Sequence, residues 1–426
     1  MIKSEIKYQP IKYIVAFNIF TLILFVTAPI VWATDNLFIL CSLFLACQFA
    51  LFIGFKFGVE KCLRRPQRDY GSVEKYKKFI FVFYCCTFLI KYAYLLRFYP
   101  YQIGEMINFL MIGIASPQLG YQMSLDASRG FTIPWSVFAL ISIVNQIFFI
   151  VGFLTWKSNT KLYKVLFAVF LAIELFYWFG RGTNFGVINL LTTMLFAILV
   201  NQSAFKKVSL GQKLKQTIII AGVAIFSLSI FTYNLVQRSG TNEIDYSEFR
   251  LGRSVVNEQS EILRIIPDAI IPTYLYGISY LCQGYYHTCL AFNLDFEFSY
   301  FFGNNPESIS IAEIIGIDVA DRTYVERLSG FGVDPRINWH SIYTWLASDF
   351  SFLLLPLVFL AFGMFMGYAW MSSKLNNDLL SKIIFIALAN ILFFSFANNN
   401  YLVSIFYSFS FLFVYWFFRR FIGIKL

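Results

Sequence analysis

Apolar runs near twenty residues long recur along this chain, separated by short polar turns, and each is long enough to cross a bilayer as an α-helix. The pattern predicts spans at about 11–33, 37–59, 79–96, 133–156, 162–179, 185–200, 217–236, 341–370, 383–397 and 402–418. One long polar interval, 237–340, interrupts the rhythm. Within it 269–294 is apolar, but Pro267, Pro272, Gly277 and Gly284 suit a re-entrant or interfacial helix buried in protein or lining a wet cavity. Residues 104–114 are apolar and too short to cross, which suits a helix lying in the interface. The expected fold is an all-α polytopic membrane protein of about ten transmembrane helices. It divides into an N-terminal bundle (1–236), a long outer segment (237–340) and a C-terminal bundle (341–426).

Charge orients these spans. Basic residues concentrate in short loops, at Lys61 to Lys78, Lys157 to Lys164 and Lys206 to Lys215, which the positive-inside bias places in the cytoplasm. Both termini are then expected inside. If 269–294 crossed once, Lys374, Lys382, Arg419 and Arg420 would fall outside, so the charges favour keeping it on the outer side. The first apolar run is long enough to remain as a span, and no cleaved leader is expected. With 58% hydrophobic and 14% charged residues, a soluble domain is excluded. The formal net charge of +10 reads as topology, and no nucleic-acid partner is expected. The seven Cys form no metal pattern. Cys282 and Cys289, seven apart, would lie about 10 Å apart on a helix, too far to bridge.

The outer segment holds seven Arg and no Lys, against fourteen Asp and Glu. Arg presents a planar fork that matches phosphate oxygens and stays charged when desolvated. Arg250 and Arg253, three apart, would point the same way on a helix and could grip a diphosphate; salt bridges to Glu248, Glu258 or Glu261 are the competing use. Arg238 follows the seventh span at headgroup level. Arg181 lies between two glycines, in a turn joining two short spans of about 18 and 16 residues. These rise only about 27 and 24 Å, so the tip sits low and calls for an anionic partner. A turn Arg touching lipid phosphate or a nearby carboxylate is the plainer alternative. His340, at the mouth of the eighth span, can accept a proton near neutral pH, with Arg336 and Tyr343 close in sequence. His287 is its rival. Asp349, inside that span, needs a partner. Tyr285 is one of several aromatics that could stack on sugar rings or form an interfacial belt. No metal or nucleotide site is expected.

Three stretches resemble a known family, the bacterial O-antigen polymerases of the Wzy type and the related O-antigen ligases. Phe179-Gly180-Arg181-Gly182 resembles the family's small-Arg-Gly turn between two mid-chain spans. Residues Ser279 to Tyr286 resemble a Gln-Gly-Tyr stretch of repeat-unit polymerases, and His340 to Leu346 resembles the ligase pattern His-Asn/Ser-x-Tyr-Leu, with Thr344 in place of Leu. The resemblance implies a metal-independent glycosyltransferase of the GT-C type in the bacterial inner membrane. Its substrates would be undecaprenyl-diphosphate-linked oligosaccharides, both donor and acceptor, with a chain-length-regulating co-polymerase as partner. In that scheme Arg181, Arg250 and Arg253 hold the leaving diphosphate, Arg238, Arg336, Tyr285 and Tyr343 contact substrate, and His340 deprotonates the acceptor hydroxyl. A ligase using lipid A core as acceptor, and a flippase of lipid-linked oligosaccharide, are the alternatives.

Overall fold

A computed structural model describes residues 4–66, 73–94, 102–129, 135–183, 185–202, 250–335, 338–397 and 407–422, with single positions at 211, 218 and 222. Helices form over most of the predicted apolar runs, and also at 117–129 and 306–314, where no run is predicted. They are α1 (Gln9–Thr27), α2 (Leu37–Leu63), α3 (Glu74–Tyr94), α4 (Ile103–Ala115), α5 (Pro117–Arg129), α6 (Trp135–Thr155), α7 (Lys161–Gly180) and α8 (Phe185–Asn201). After the polar interval begins come α9 (Ile271–Ala291), α10 (Pro306–Ile314), α11 (Ile342–Leu375), α12 (Leu379–Phe393) and α13 (Tyr407–Phe417). Four of them, α1, α2, α7 and α11, are long and apolar enough to cross a membrane, so the protein is a membrane-embedded helical bundle. Helices α4, α8 and α12 are apolar but shorter. Most of the span predicted at 217–236 lies outside the described residues.

The bundle is keyed by small residues. Helices α2 and α11 run in close contact through Gly54 and Gly58 on one and Gly363 and Gly367 on the other. A Cβ added at Gly54 would sit 2.0 Å from the Leu360 carbonyl oxygen, and one at Gly363 would sit 2.1 Å from that of Leu51. Both pairs are four residues apart, so each helix offers the other a flat stripe on which backbones can meet, the small-xxx-small contact that drives association where lipid removes the hydrophobic incentive. Helix α11 breaks at Ser351, whose φ of 57° and ψ of 159° are not helical. Asp349, just before the break, accepts hydrogen bonds from Ser299 Oγ (2.6 Å), the Gly303 N–H (3.1 Å) and Asn304 Nδ2 (2.9 Å). The partner this carboxylate requires is therefore the 299–304 turn, and among the described residues it makes no ion pair.

Helix α9 covers most of the apolar stretch 269–294. Among the described residues it is not one of the helices apolar enough to cross, and from Cys282 to Ala291 every residue is buried in protein. Gly284 lets it touch the α12 end directly, because a Cβ there would lie 2.1 Å from the Phe396 carbonyl oxygen.

The fold is predominantly helical, as expected, with one local addition. A small antiparallel sheet, order β1-β3-β2, joins β1 (Ile30–Val31) to β2 (Arg250–Leu251) and β3 (Ser254–Val256). The β-branched Val255 and Val256 pair with Val31 and Ile30, which the hydrophobic pattern had given to the first span. For the same reason Arg250 and Arg253 do not share a helix face. Leu251 pairs with Ser254, and Gly252, at φ 59°, turns the chain between them with Arg253 in the turn.

Candidate functional site

Helix α7 brings four polar or aromatic side chains to one face. Glu174, Tyr177, Trp178 and Arg181 fall at i, i+3, i+4 and i+7, so they share one face. With Lys91 of α3, Asn145 of α6, Asn189 and Thr193 of α8 and Asn390 of α12 they line a cavity of about 160 Å³. Glu174 is 4% exposed and Lys91 8%, and the two form an ion pair. The other Glu174 oxygen accepts from Trp178 Nε1 at 3.0 Å and Asn145 Nδ2 at 3.5 Å. The carboxylate is thus taken up by Lys91, Trp178 and Asn145. Asn390 Nδ2 donates to Thr193 Oγ1 at 3.1 Å across the opposite wall.

Arg181 closes this cavity at the helix end. Its Nη1 donates to the Tyr177 hydroxyl at 3.1 Å. Its guanidinium lies over the Tyr177 and Trp178 rings, 5.5 and 5.3 Å from their centroids. Its Nε is buried without a hydrogen-bond partner, and among the described residues Arg181 makes no ion pair. A guanidinium has five donors, and among the described residues one hydrogen bond, to Tyr177, is made. Lys91, Arg181 and Glu174 together leave the cavity one positive charge in excess.

The glycines beside Arg181 have a structural use that the sequence does not reveal. Helices α4 and α5 form a hairpin that cups the turn. A Cβ at Gly180 would lie 2.3 Å from the Phe109 ring, and one at Gly182, which also adopts φ 58°, would lie 2.2 Å from the Pro117 carbonyl oxygen. The close approach is made by the chain's own Phe109 ring and Pro117 backbone. This fixes the tip while Arg181, between the two glycines, points back along α7 onto its aromatic residues.

The remaining expected site residues lie elsewhere. Arg253 lines a second cavity, of about 390 Å³, with Trp32, Asp35, Asn36, Tyr286 and Asn293; the two cavities share no lining residue. His340, Tyr343 and Tyr285 come together with His287, but inside the core. Tyr285 shares a hydrogen bond with Thr21 (2.8 Å), and the Tyr343 hydroxyl accepts from Gln48 at 3.0 Å. His287 Nδ1 donates to the Trp339 carbonyl at 2.7 Å, and its ring lies 4.9 Å from that of His340. Thr288 ties this region to Ser341 and Thr344 at 2.7 and 2.9 Å. His340 is fully buried and lines neither cavity. Burial, and then the neighbouring His287, hold its imidazole well below the ordinary range; burial brings His287 down to about 4. Arg238 and Arg336 lie outside the described residues, and Arg250 is placed only by its backbone in β2.

No family model, curated protein or solved structure matches this chain. The site rests on its own geometry. Among the described residues no group of three or more His, Cys, Asp or Glu converges as metal ligands would. Lys91 and Glu174 were not singled out from the sequence. The signal was present, because Lys91 is the lone charged residue of the predicted run 79–96 and Glu174 the lone acidic residue of 162–179.

Proposed function

We propose that this chain is a membrane glycosyltransferase of the O-antigen polymerase kind. It joins undecaprenyl-diphosphate-linked oligosaccharide repeat units at the periplasmic face of a bacterial inner membrane, from a scaffold of ten spans with cytoplasmic termini. The carrying observation is the Arg181 cavity, where an aromatic-stacked guanidinium with spare donors faces a pocket of net positive charge. In glycosyl transfer the acceptor hydroxyl attacks the anomeric carbon of the donor. The bond from that carbon to the lipid diphosphate breaks, and negative charge grows on the leaving oxygens. A fixed guanidinium in a water-poor cavity stabilises that charge without reorganising. Lys91 and Glu174 neutralise one another, so the excess charge of the cavity is Arg181's own. The hydroxyl proton needs a base. His340 could serve only after the segment covering it opens, so the reading rests on leaving-group stabilisation.

A buried Lys–Glu pair within the bundle also suits transport of a lipid-linked oligosaccharide, since intramembrane charges mark such pathways. Complementation of a deletion strain tests the first reading. Wild-type protein restores the polymer ladder, whereas Arg181→Ala reaches the membrane in normal amount and yields only single repeat units. A full ladder from Arg181→Ala would remove this residue from the site.

A further inference from the structure

The cavity around Arg253 is not used by the leaving-group chemistry, and we propose that it is a glycan subsite that binds uncharged pyranose rings. The proposal rests on the reading of the chain as an enzyme of lipid-linked oligosaccharides and assigns the sugar and the phosphate to different cavities.

Charge separates the two. Arg253 and Asp35 are the charged side chains lining this cavity, and their formal charges cancel. Among the described residues neither forms an ion pair, so both remain available to a ligand. A diphosphate would meet the Asp35 carboxylate here and finds a net positive pocket at Arg181 instead. A neutral polyhydroxyl ligand has no such conflict and uses both groups, donating to Asp35 and accepting from Arg253.

The neutral polar groups extend the same balance. Asn36 spends its amide N–H groups on the Cys289 carbonyl and on Asn293 Oδ1, both at 3.0 Å. That leaves the Asn36 oxygen as an acceptor and the Asn293 amide as a donor. Trp32 and Tyr286 supply apolar faces, with ring centroids 5.5 Å apart. Neither is loose. Trp32 Nε1 donates to the Phe25 carbonyl at 2.9 Å and its ring packs 4.6 Å from that of Phe25, while Tyr286 is 2% exposed. Rigid aromatic faces beside alternating donors and acceptors suit a ring with apolar C–H faces and hydroxyls at its edge. The small sheet assembles the cavity. Strand β3 pairs with β1, which leads into Trp32, and the β2–β3 turn brings Arg253 to the same place.

The test uses the full-length protein in lipid nanodiscs. One probe is oligosaccharide prepared from the source strain's own surface polysaccharide, and the other is inorganic diphosphate. The oligosaccharide is expected to bind wild-type protein, to bind Asp35→Ala and Asn293→Ala roughly tenfold more weakly, and to bind Arg181→Ala unchanged. Diphosphate is expected to show the opposite pattern. Asp35 is exposed, so its replacement leaves the fold intact even where Asn293→Ala does not. Unchanged oligosaccharide affinity in Asp35→Ala, no binding to wild-type protein, or tighter diphosphate binding in Asp35→Ala would each overturn the subsite. The polymer ladder reports on the function separately, since a strain that polymerises normally with an unchanged oligosaccharide affinity in Asp35→Ala loses the subsite and keeps the enzyme.

Discussion

Arg181 is available to a ligand because Glu174 is already occupied. Removing that occupancy gives two sharp expectations. Glu174→Ala leaves Lys91 buried without its counter-ion and should destabilise the protein by about 3–5 kcal/mol, read as loss of folded protein in detergent. Removing both charges, Lys91→Met with Glu174→Gln, should restore much of the folded protein but not polymer formation; recovery of both would make the pair purely structural. Arg181→Ala should lower the rate of glycosyl transfer by roughly 10²–10³-fold, measured with purified protein and lipid-linked repeat units. Arg181→Lys should recover little of it, because a lysine neither stacks flat on Tyr177 and Trp178 nor offers a planar fork. At this scale the Gly-Arg-Gly turn marked Arg181 in the sequence. The meeting of Lys91 with Glu174 was hidden, because it depends on how α3 packs on α7. His340 misleads in the opposite direction. Its place at the mouth of a span suggests an exposed base, but α9 folds over it and buries both histidines.

Helix contacts carry the next set of expectations. The α2–α11 seam leaves no space for side chains at Gly54, Gly58, Gly363 and Gly367. Gly363→Val should cost at least about 1–3 kcal/mol, because the Leu51 carbonyl it meets is backbone and cannot rotate away; an unchanged melting temperature in detergent would contradict this contact. The α9 contact with residues 339–344 should be sensitive to pH. Both imidazoles are held neutral when folded, with His287 near 4 and His340 well below its ordinary range, whereas unfolded histidines protonate near 6.5. The unfolded chain therefore binds more protons as pH falls from about 6.5 towards 4, and stability present above 6.5 is lost across that window. His287→Gln should flatten the dependence of melting temperature on pH there; an unaltered slope would mean that His287 does not carry it. Periodicity predicted these helices because lipid-facing segments repeat their apolar residues over twenty positions. It could not predict the sheet, because five of its seven residues sit in short, mixed stretches whose pairing spans more than two hundred positions.

Across the whole molecule, the apolar helices of a membrane-embedded bundle were legible from hydrophobicity, because the length and composition of such helices follow from the bilayer itself. The division of the expected site was not. Arg181 and Arg253 look alike in sequence, yet one faces a net positive cavity between helices and the other a charge-balanced one beneath a β-turn. On the proposed function, that division would place the phosphate and the sugar of one lipid-linked substrate in separate cavities. The most direct measurement of the central claim is the lipopolysaccharide of a strain lacking this chain, separated on a gel. A core bearing one repeat unit is the predicted result, since transport and attachment continue while polymerisation stops. A bare core would contradict it: with lipid-linked polymer accumulating, the chain is a ligase, and with only short lipid-linked units held on the cytoplasmic side, it is a transporter.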